Sequence, residues 1–278
     1  MPLRDHLRSR LVGEVRAIFN DKNRGEQPVQ RRDDGLFGPG SAAWTVHGDV
    51  TTMMVGGVAA LLLQMLHPAV LAGVWDHSEF RKDMLGRLRR TARFIAVTTF
   101  GARDDAEAAI ERVRSIHTYV SGTLADGTPY RADDPRLLAW VHVTEMTSFL
   151  DAWLMYGDPR MSLADQDRYF AETARIARDL GADPVPTTKA EALALIAEMR
   201  PELKVDARTR EVARIVLTQR APKLAAQPVQ AMTFQAAVDL LPHWAREMHG
   251  LHASTLGRPL VSAGTLGLAK TLRWAFHG

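Results

Sequence analysis

A chain of 278 residues with 46% hydrophobic and 24% charged side chains has globular composition and is long enough to bury most of its apolar surface, which excludes a disordered or low-complexity protein. The formal charge of +3 arises from scattered basic residues, 29 Arg and 6 Lys, with no dense basic tract interleaved with aromatics, so nucleic acid is not an expected partner. The lack of cysteine removes disulfides, thiolate zinc sites, iron–sulfur clusters and both cysteine-attached and thiolate-ligated haem, leaving His, carboxylate or Tyr to ligate any metal.

Residues 1–20 have helical spacing, anchored by Leu11, Val15, Ile18 and Phe19. Arg4, Asp5, Arg8 and Arg10 are unlike a secretion signal, and a cytoplasmic location is expected. Residues 20–40 are rich in Gly, Pro and Asp and are predicted to be loop. Asp49 can cap a helix running to about Leu66, and Pro68 fits the first turn of the next, which continues to about Phe80. Between Val50 and Trp75 there is no Lys, Arg, Asp or Glu. That length raises a membrane span, but Gln64, His67 and Pro68 interrupt it, and the expectation is a buried, broken helix with no transmembrane segment. A third helix is predicted from about Met84 to Gly101. A fourth runs from Asp104 or Asp105 to Gly122, with Ala106, Ala109, Ile110, Val113, Ile116 and Val120 as its apolar face.

Residues 123–134 are assigned to a turn. Asp134-Pro135 then opens a fifth helix that reaches Tyr156 and stops at Gly157. Ser162 with Asp165 and Thr188 with Glu191 are capping boxes, predicting helices to Leu180 and to just before Pro201. Helical patterns continue over about 206–219, 228–240 and 255–276. There is no sustained period-two alternation, no hairpin turn signal, no internal repeat and no composition shift, so the expected fold is all-α in a single domain, 1–278.

With thiols absent, chemistry falls first to the histidines. His117 lies on the apolar face of the fourth helix between Val113 and Val120, where it is either a core imidazole bonded to a carbonyl or water, or an axial haem ligand. His142 shares an apolar stripe with Leu138 and Phe149, and Glu145 follows it by one turn. That pair could bind metal, could hold the imidazole in place, or could simply be solvated. His67 and His77 sit near helix ends and suit capping or turn chemistry, whereas His249 and His252 look like surface residues. Arg87 and Thr91 share a helical face, with Arg90 beside it and an apolar stripe of Leu85, Leu88, Ala92, Ile95 and Ala96. The Arg is either part of a solvated basic face or a fixed cation for a propionate or a developing negative charge. Glu-x-x-His, His-Glu-x-x-His, phosphate-loop, dinucleotide and nucleophile-elbow motifs are all missing, which disfavours di-iron carboxylate, zincin, nucleotide and hydrolase chemistry.

Several short runs, in order, resemble the MpaB/latex-clearing (rubber oxygenase) family, in its shorter bacterial form. They are His67-Pro68-Ala69-Val70, Asp76-His77-Ser78-Glu79-Phe80-Arg81, Gly86-Arg87-Leu88-Arg89-Arg90-Thr91, Phe100-Gly101 and Val113-Arg114-Ser115-Ile116-His117. Tyr130-x-Ala132-x-Asp134-Pro135, Trp140-Val141-His142-Val143-Thr144 and Leu241-Pro242-x-Trp244-Ala245-Arg246 follow, so the likeness spans roughly 38–250. The resemblance divides the chain into an N-terminal helix and loop over 1–40, a family core over 41–250 and a C-terminal helix over 251–278. It implies a globin-like helical core holding noncovalent haem b. It places the family's Arg and Thr on Arg87 and Thr91, its Lys position on Arg90, and the proximal His on His117. His142 is the second candidate for iron, and His67 a further residue near the cofactor. Arg90 departs from the pattern: a guanidinium stays protonated and does not ligate iron, so the distal position holds water, holds His142, or is open. The implied reaction is oxygenation of an apolar, isoprenoid- or lipid-like small molecule by dioxygen, with a homodimer as an assembly the reading allows. The rival readings are a helical protein that holds haem or an apolar ligand without turnover, and a structural module that has lost its chemistry.

Overall fold

The computed structural model describes residues 6, 8–10, 12–13, 27–221, 224–253 and 257–277. The helix expected over 1–20 lies largely outside the described residues. The remainder is predominantly helical, as the sequence predicts. In chain order the α-helices are α1 (Ala42–His47), α2 (Val50–Gln64), α3 (Pro68–His77), α4 (Met84–Phe100) and α5 (Arg103–Thr118). A two-stranded ribbon, β1 (Ser121–Thr123) and β2 (Pro129–Arg131), separates these from α6 (Pro135–Tyr156), α7 (Leu163–Leu180) and α8 (Lys189–Met199). The last are α9 (Ala207–Leu217), α10 (Gln227–Leu240), α11 (His243–His249) and α12 (Arg258–His277).

The caps fall where the sequence puts them. The Asp49 carboxylate accepts from Thr52 N at 2.9 Å and starts α2. Asp134 accepts from the amides of Arg136 and Leu137 ahead of α6, Ser162 caps α7, and Thr188 with Glu191 forms a reciprocal capping box on α8. Each bond satisfies an amide that the first helical turn leaves without an intrahelical partner.

The core is built on α2 and α6, which pack against each other more extensively than any other pair among the described residues. Gly56 makes the close approach possible: a Cβ there would lie 2.8 Å from the Ser148 carbonyl oxygen and 2.9 Å from Cδ1 of Phe149. α8 and α10 flank the pair, and α12 closes over the start of α2. There Arg273 Nε meets the buried Asp49 carboxylate at 2.5 Å and its Nη2 donates to Tyr156 O at 2.6 Å.

The uncharged stretch from Val50 to Trp75 forms two helices bent by 105°. Nearly all of α2 is buried, whereas α3 is only half-buried. Among the described residues no single helix is long and apolar enough to cross a membrane.

The sequence reading needs correction at three places. Residues 121–131 form an antiparallel hairpin in the register Ser121 to Arg131 and Thr123 to Pro129, not a plain turn. The signal was Asp126-Gly127: Gly127 has φ +87°, the left-handed value a tight hairpin needs. The ribbon also ends α5 at Thr118 rather than Gly122, because Val120 is taken into pairing, its carbonyl accepting from Ala132 N at 2.8 Å. Finally, α11 is a separate short helix between the patterns expected at 228–240 and 255–276.

Candidate functional site

The candidate residues lie on three helices: α4 packs against α5, and the charges of Arg87 on α4 and Glu145 on α6 act on one another. α4 starts at Asp83, whose carboxylate accepts from Gly86 N at 2.8 Å. Its apolar stripe of Leu85, Leu88, Ala92, Ile95 and Ala96 is only half-buried along its length. Leu88 and Ile95 touch the core, yet the protein itself does not fully cover this wall. Arg87 stands on the same helix, half-buried. Desolvation first, and the nearby charge of Arg90 second, lower its pKa against an upward pull from Glu145. Thr91, one turn on, is exposed. Arg90 is exposed as well and lies 3.6 Å from Asp83, so it serves the helix start rather than the interior.

His117 is in the last turn of α5, not mid-helix, and its neighbour Ile116 is 54% exposed. The imidazole is nevertheless half-buried, and its Nδ1 is shut away from solvent with no hydrogen-bond partner. Burial holds its pKa below the usual value, against a smaller upward pull from Asp133, which follows the ribbon. His142 sits mid-way along α6, buried, with Nε2 also lacking a partner. Burial first, and the charge of Arg178 on α7 second, hold it down to about 4. Both imidazoles are therefore neutral near pH 7, the form in which His binds a metal.

Glu145 does not hold His142, as its position one turn away had suggested it could. It faces Gln64 and Arg87 instead, and burial pushes its carboxyl up to about 7 against the downward pull of both. The Gln64 amide influences the carboxyl from close by without forming a well-directed bond, since its Nε2 has no partner.

Behind Glu145 lies a cluster whose members share no pattern in the sequence. His47 of α1 bonds Thr99 Oγ1 through Nδ1 at 2.8 Å and Tyr169 Oη through Nε2 at 2.7 Å. The Tyr169 hydroxyl donates to Met146 Sδ at 3.2 Å. That assignment makes the His47 Nε2–H the donor to Tyr169 and Nδ1 the acceptor from Thr99. Burial drives His47 down to about 3 and, with the charge of Glu145, drives the Tyr169 phenol well up.

Of the other histidines, only His249 among the described residues also has a buried ring nitrogen, Nδ1, without a partner. His67 is the N-cap of α3: Nδ1 accepts from Ala69 N at 3.3 Å and Nε2 lies 3.4 Å from Glu202, so both nitrogens are engaged. Exposed His77 bonds Ser121 O at 3.0 Å, and His252 is exposed. His249 is not a surface residue: it is half-buried and donates from Nε2 to Leu62 O at 2.9 Å.

Among the described residues no group of three His, Asp or Glu side chains converges to hold a metal ion. What the site offers is single neutral imidazoles with a buried nitrogen lacking a partner, a half-buried cation and an incompletely covered apolar wall. This donor set fits haem, which brings its own four equatorial nitrogens, needs one imidazole, and presents an apolar disc with carboxylate edges.

No curated protein and no solved structure matches the chain. Residues 44–274 match the family described as ER-bound oxygenase mpaB/B'/Rubber oxygenase, catalytic domain, a span that takes in all of α4, α5 and α6. The chain belongs to the MpaB/rubber oxygenase catalytic-domain family, and an oxygenase role is the general function that this membership supports.

Proposed function

We propose that the protein is a haem b-dependent oxygenase of an apolar, isoprenoid- or lipid-like small molecule, with His117 as the protein ligand to iron. The observation that carries this reading is the buried nitrogen of His117, neutral and without a partner, at the end of a helix that packs against the half-covered apolar wall of α4. Haem, when bound, supplies the iron and the dioxygen chemistry.

The chain's own residues have separate tasks. The charge of Asp133 acts on the His117 ring against the effect of burial. Arg87, a cation that stays charged, holds a propionate or other anionic oxygen beside the wall. Glu145 lies near neutrality and exchanges a proton at its carboxyl, with Arg87 stabilising the ionised form. The side chains of Leu88 and Ile95 exclude water and receive the hydrocarbon. His142, buried among α6 and α7 with its own unpartnered nitrogen, is the alternative ligand. His67 and Arg90 have no place in this scheme, since local contacts already use them.

The test compares wild type, His117→Ala and His142→Ala, each produced with haem supplied. Wild type is expected to show an intense haem band near ~400 nm. His117→Ala is expected to lose haem or change its ligation spectrum, and His142→Ala to keep the cofactor. The reverse pattern moves the iron to His142, and a colourless wild type ends the haem reading. Product formation under oxygen and reductant then distinguishes an oxygenase from a haem carrier.

A further inference from the structure

We infer that the protein has a second ligand site, on the face of α6 opposite His142 and Glu145, for a small neutral amphiphile: a mostly hydrocarbon molecule carrying one oxygen acceptor. At about 100° per residue, Thr147 and Asp151 project roughly half a turn away from His142 and Glu145. On that side α2, α6, α8 and the segment entering α11 leave a cavity of ≈ 200 Å³. Ala59, Leu63, Ile196, Leu241 and Trp244 supply apolar wall. A dry cavity of about 150 Å³ is enough to take up benzene, so this one accommodates a molecule of roughly eight to ten non-hydrogen atoms. Leu193, 48% exposed, lies at its edge and gives it an apolar entrance.

One polar atom inside is unsatisfied. A Thr within a helix ordinarily returns its hydroxyl proton to a carbonyl one turn back. Thr144 does so, donating to Trp140 O at 2.8 Å. Thr147, in the same helix and only 6% exposed, does not: its Oγ1 is buried without a partner, and the residue forms part of the cavity wall. A buried hydroxyl in that state calls for an acceptor. The charged groups at the cavity are already occupied. Asp151 lies 3.5 Å from Lys189 Nζ, and the Arg200 guanidinium stacks 4.8 Å from the Trp244 ring centroid. Asp151 lies one turn from Thr147 and is paired with Lys189, so the acceptor is assigned to a neutral ketone, ether or alcohol. None of the residues assigned to haem lines this cavity, so the inference stands apart from that reading.

The probes are 2-octanone, octanoate and toluene, titrated against the protein as purified by ligand-observed NMR. Saturable 2-octanone binding is expected, tighter than octanoate. Thr147→Val, which keeps the shape and removes the hydroxyl, should weaken 2-octanone by about 3- to 10-fold and leave toluene unchanged. Ala197→Phe, at an exposed position on the lining, should block both. Absence of saturable 2-octanone binding, a preference for octanoate, equal 2-octanone affinity in Thr147→Val, or binding that Ala197→Phe leaves intact would each overturn the proposal.

Discussion

Replacing Glu145 by Gln should remove a defined pH dependence from the stability of the protein. Burial raises the Glu145 carboxyl from 4.5 to about 7 in the folded chain, with Gln64 and Arg87 opposing. Between those values the folded state keeps its proton while the unfolded chain has released it. Stability therefore falls as pH rises through this window, and the loss is complete just above pH 7. A rise of about 2.5 pH units at about 1.4 kcal/mol each corresponds to at most about 3.5 kcal/mol, reduced to about 3 kcal/mol because part of the Glu145 surface stays accessible. Gln keeps the shape and cannot ionise, so Glu145→Gln should match wild type near about pH 4 and exceed its stability by up to about 3 kcal/mol near about pH 8. His47 and His142, held down to about 3 and about 4, act in the opposite sense. The unfolded chain protonates them first, so their contribution is lost as pH falls below 6.5. Both proteins share that acid limb, and subtracting the two profiles isolates Glu145. Urea unfolding followed by circular dichroism across the window supplies the profiles. A difference that stays constant with pH would refute the claim that Glu145 is protonated in the folded protein at pH 6.

Other perturbations have equally direct readouts. Arg87→Met takes away a charge that favours ionised Glu145, so the Glu145-dependent window should move to higher pH in the same unfolding experiment, and an unmoved window would dissociate the two residues. Gly56→Ala places a Cβ 2.8 Å from the Ser148 carbonyl oxygen and should cost about 1–3 kcal/mol in a thermal melt, unless α2 and α6 separate without penalty. Asp49→Ala removes both the α2 cap and the partner of Arg273; a loss of about 2–4 kcal/mol is expected, much reduced when Arg273→Leu is already present, and an additive double mutant would show that the pair is not coupled. Tyr130→Phe breaks the 3.0 Å bond from the buried Tyr130 hydroxyl to Asp76 that ties the ribbon to α3, and should cost about 1–2 kcal/mol, with amide exchange rising over residues 121–131.

The linear chain by itself determined most helix starts, because caps are local chemistry. Asp49, Asp134, Ser162 and Thr188 bond amides two or three residues away, and no distant contact is needed to place them. It also determined that the uncharged stretch over 50–75 breaks at Pro68, and it marked Arg87, His117 and His142 as candidate site residues. The hairpin at 121–131 escaped the sequence reading although Asp126-Gly127 marks it, because three-residue strands are too short for alternation to register. Only the tertiary structure decided what each polar group meets. Spacing puts Glu145 one turn from His142, yet the packing of α2 and α4 turns it toward Gln64 and Arg87. Spacing puts His117 in mid-helix, yet the ribbon ends that helix one residue later. His47, Thr99, Met146 and Tyr169 come from four helices and show no common pattern in sequence, but they share one buried network. Whether an imidazole is bonded, orphaned or exposed depends on groups brought in from other helices. That part of the energy is non-local, whereas a cap or a helical stripe is written within one turn of chain.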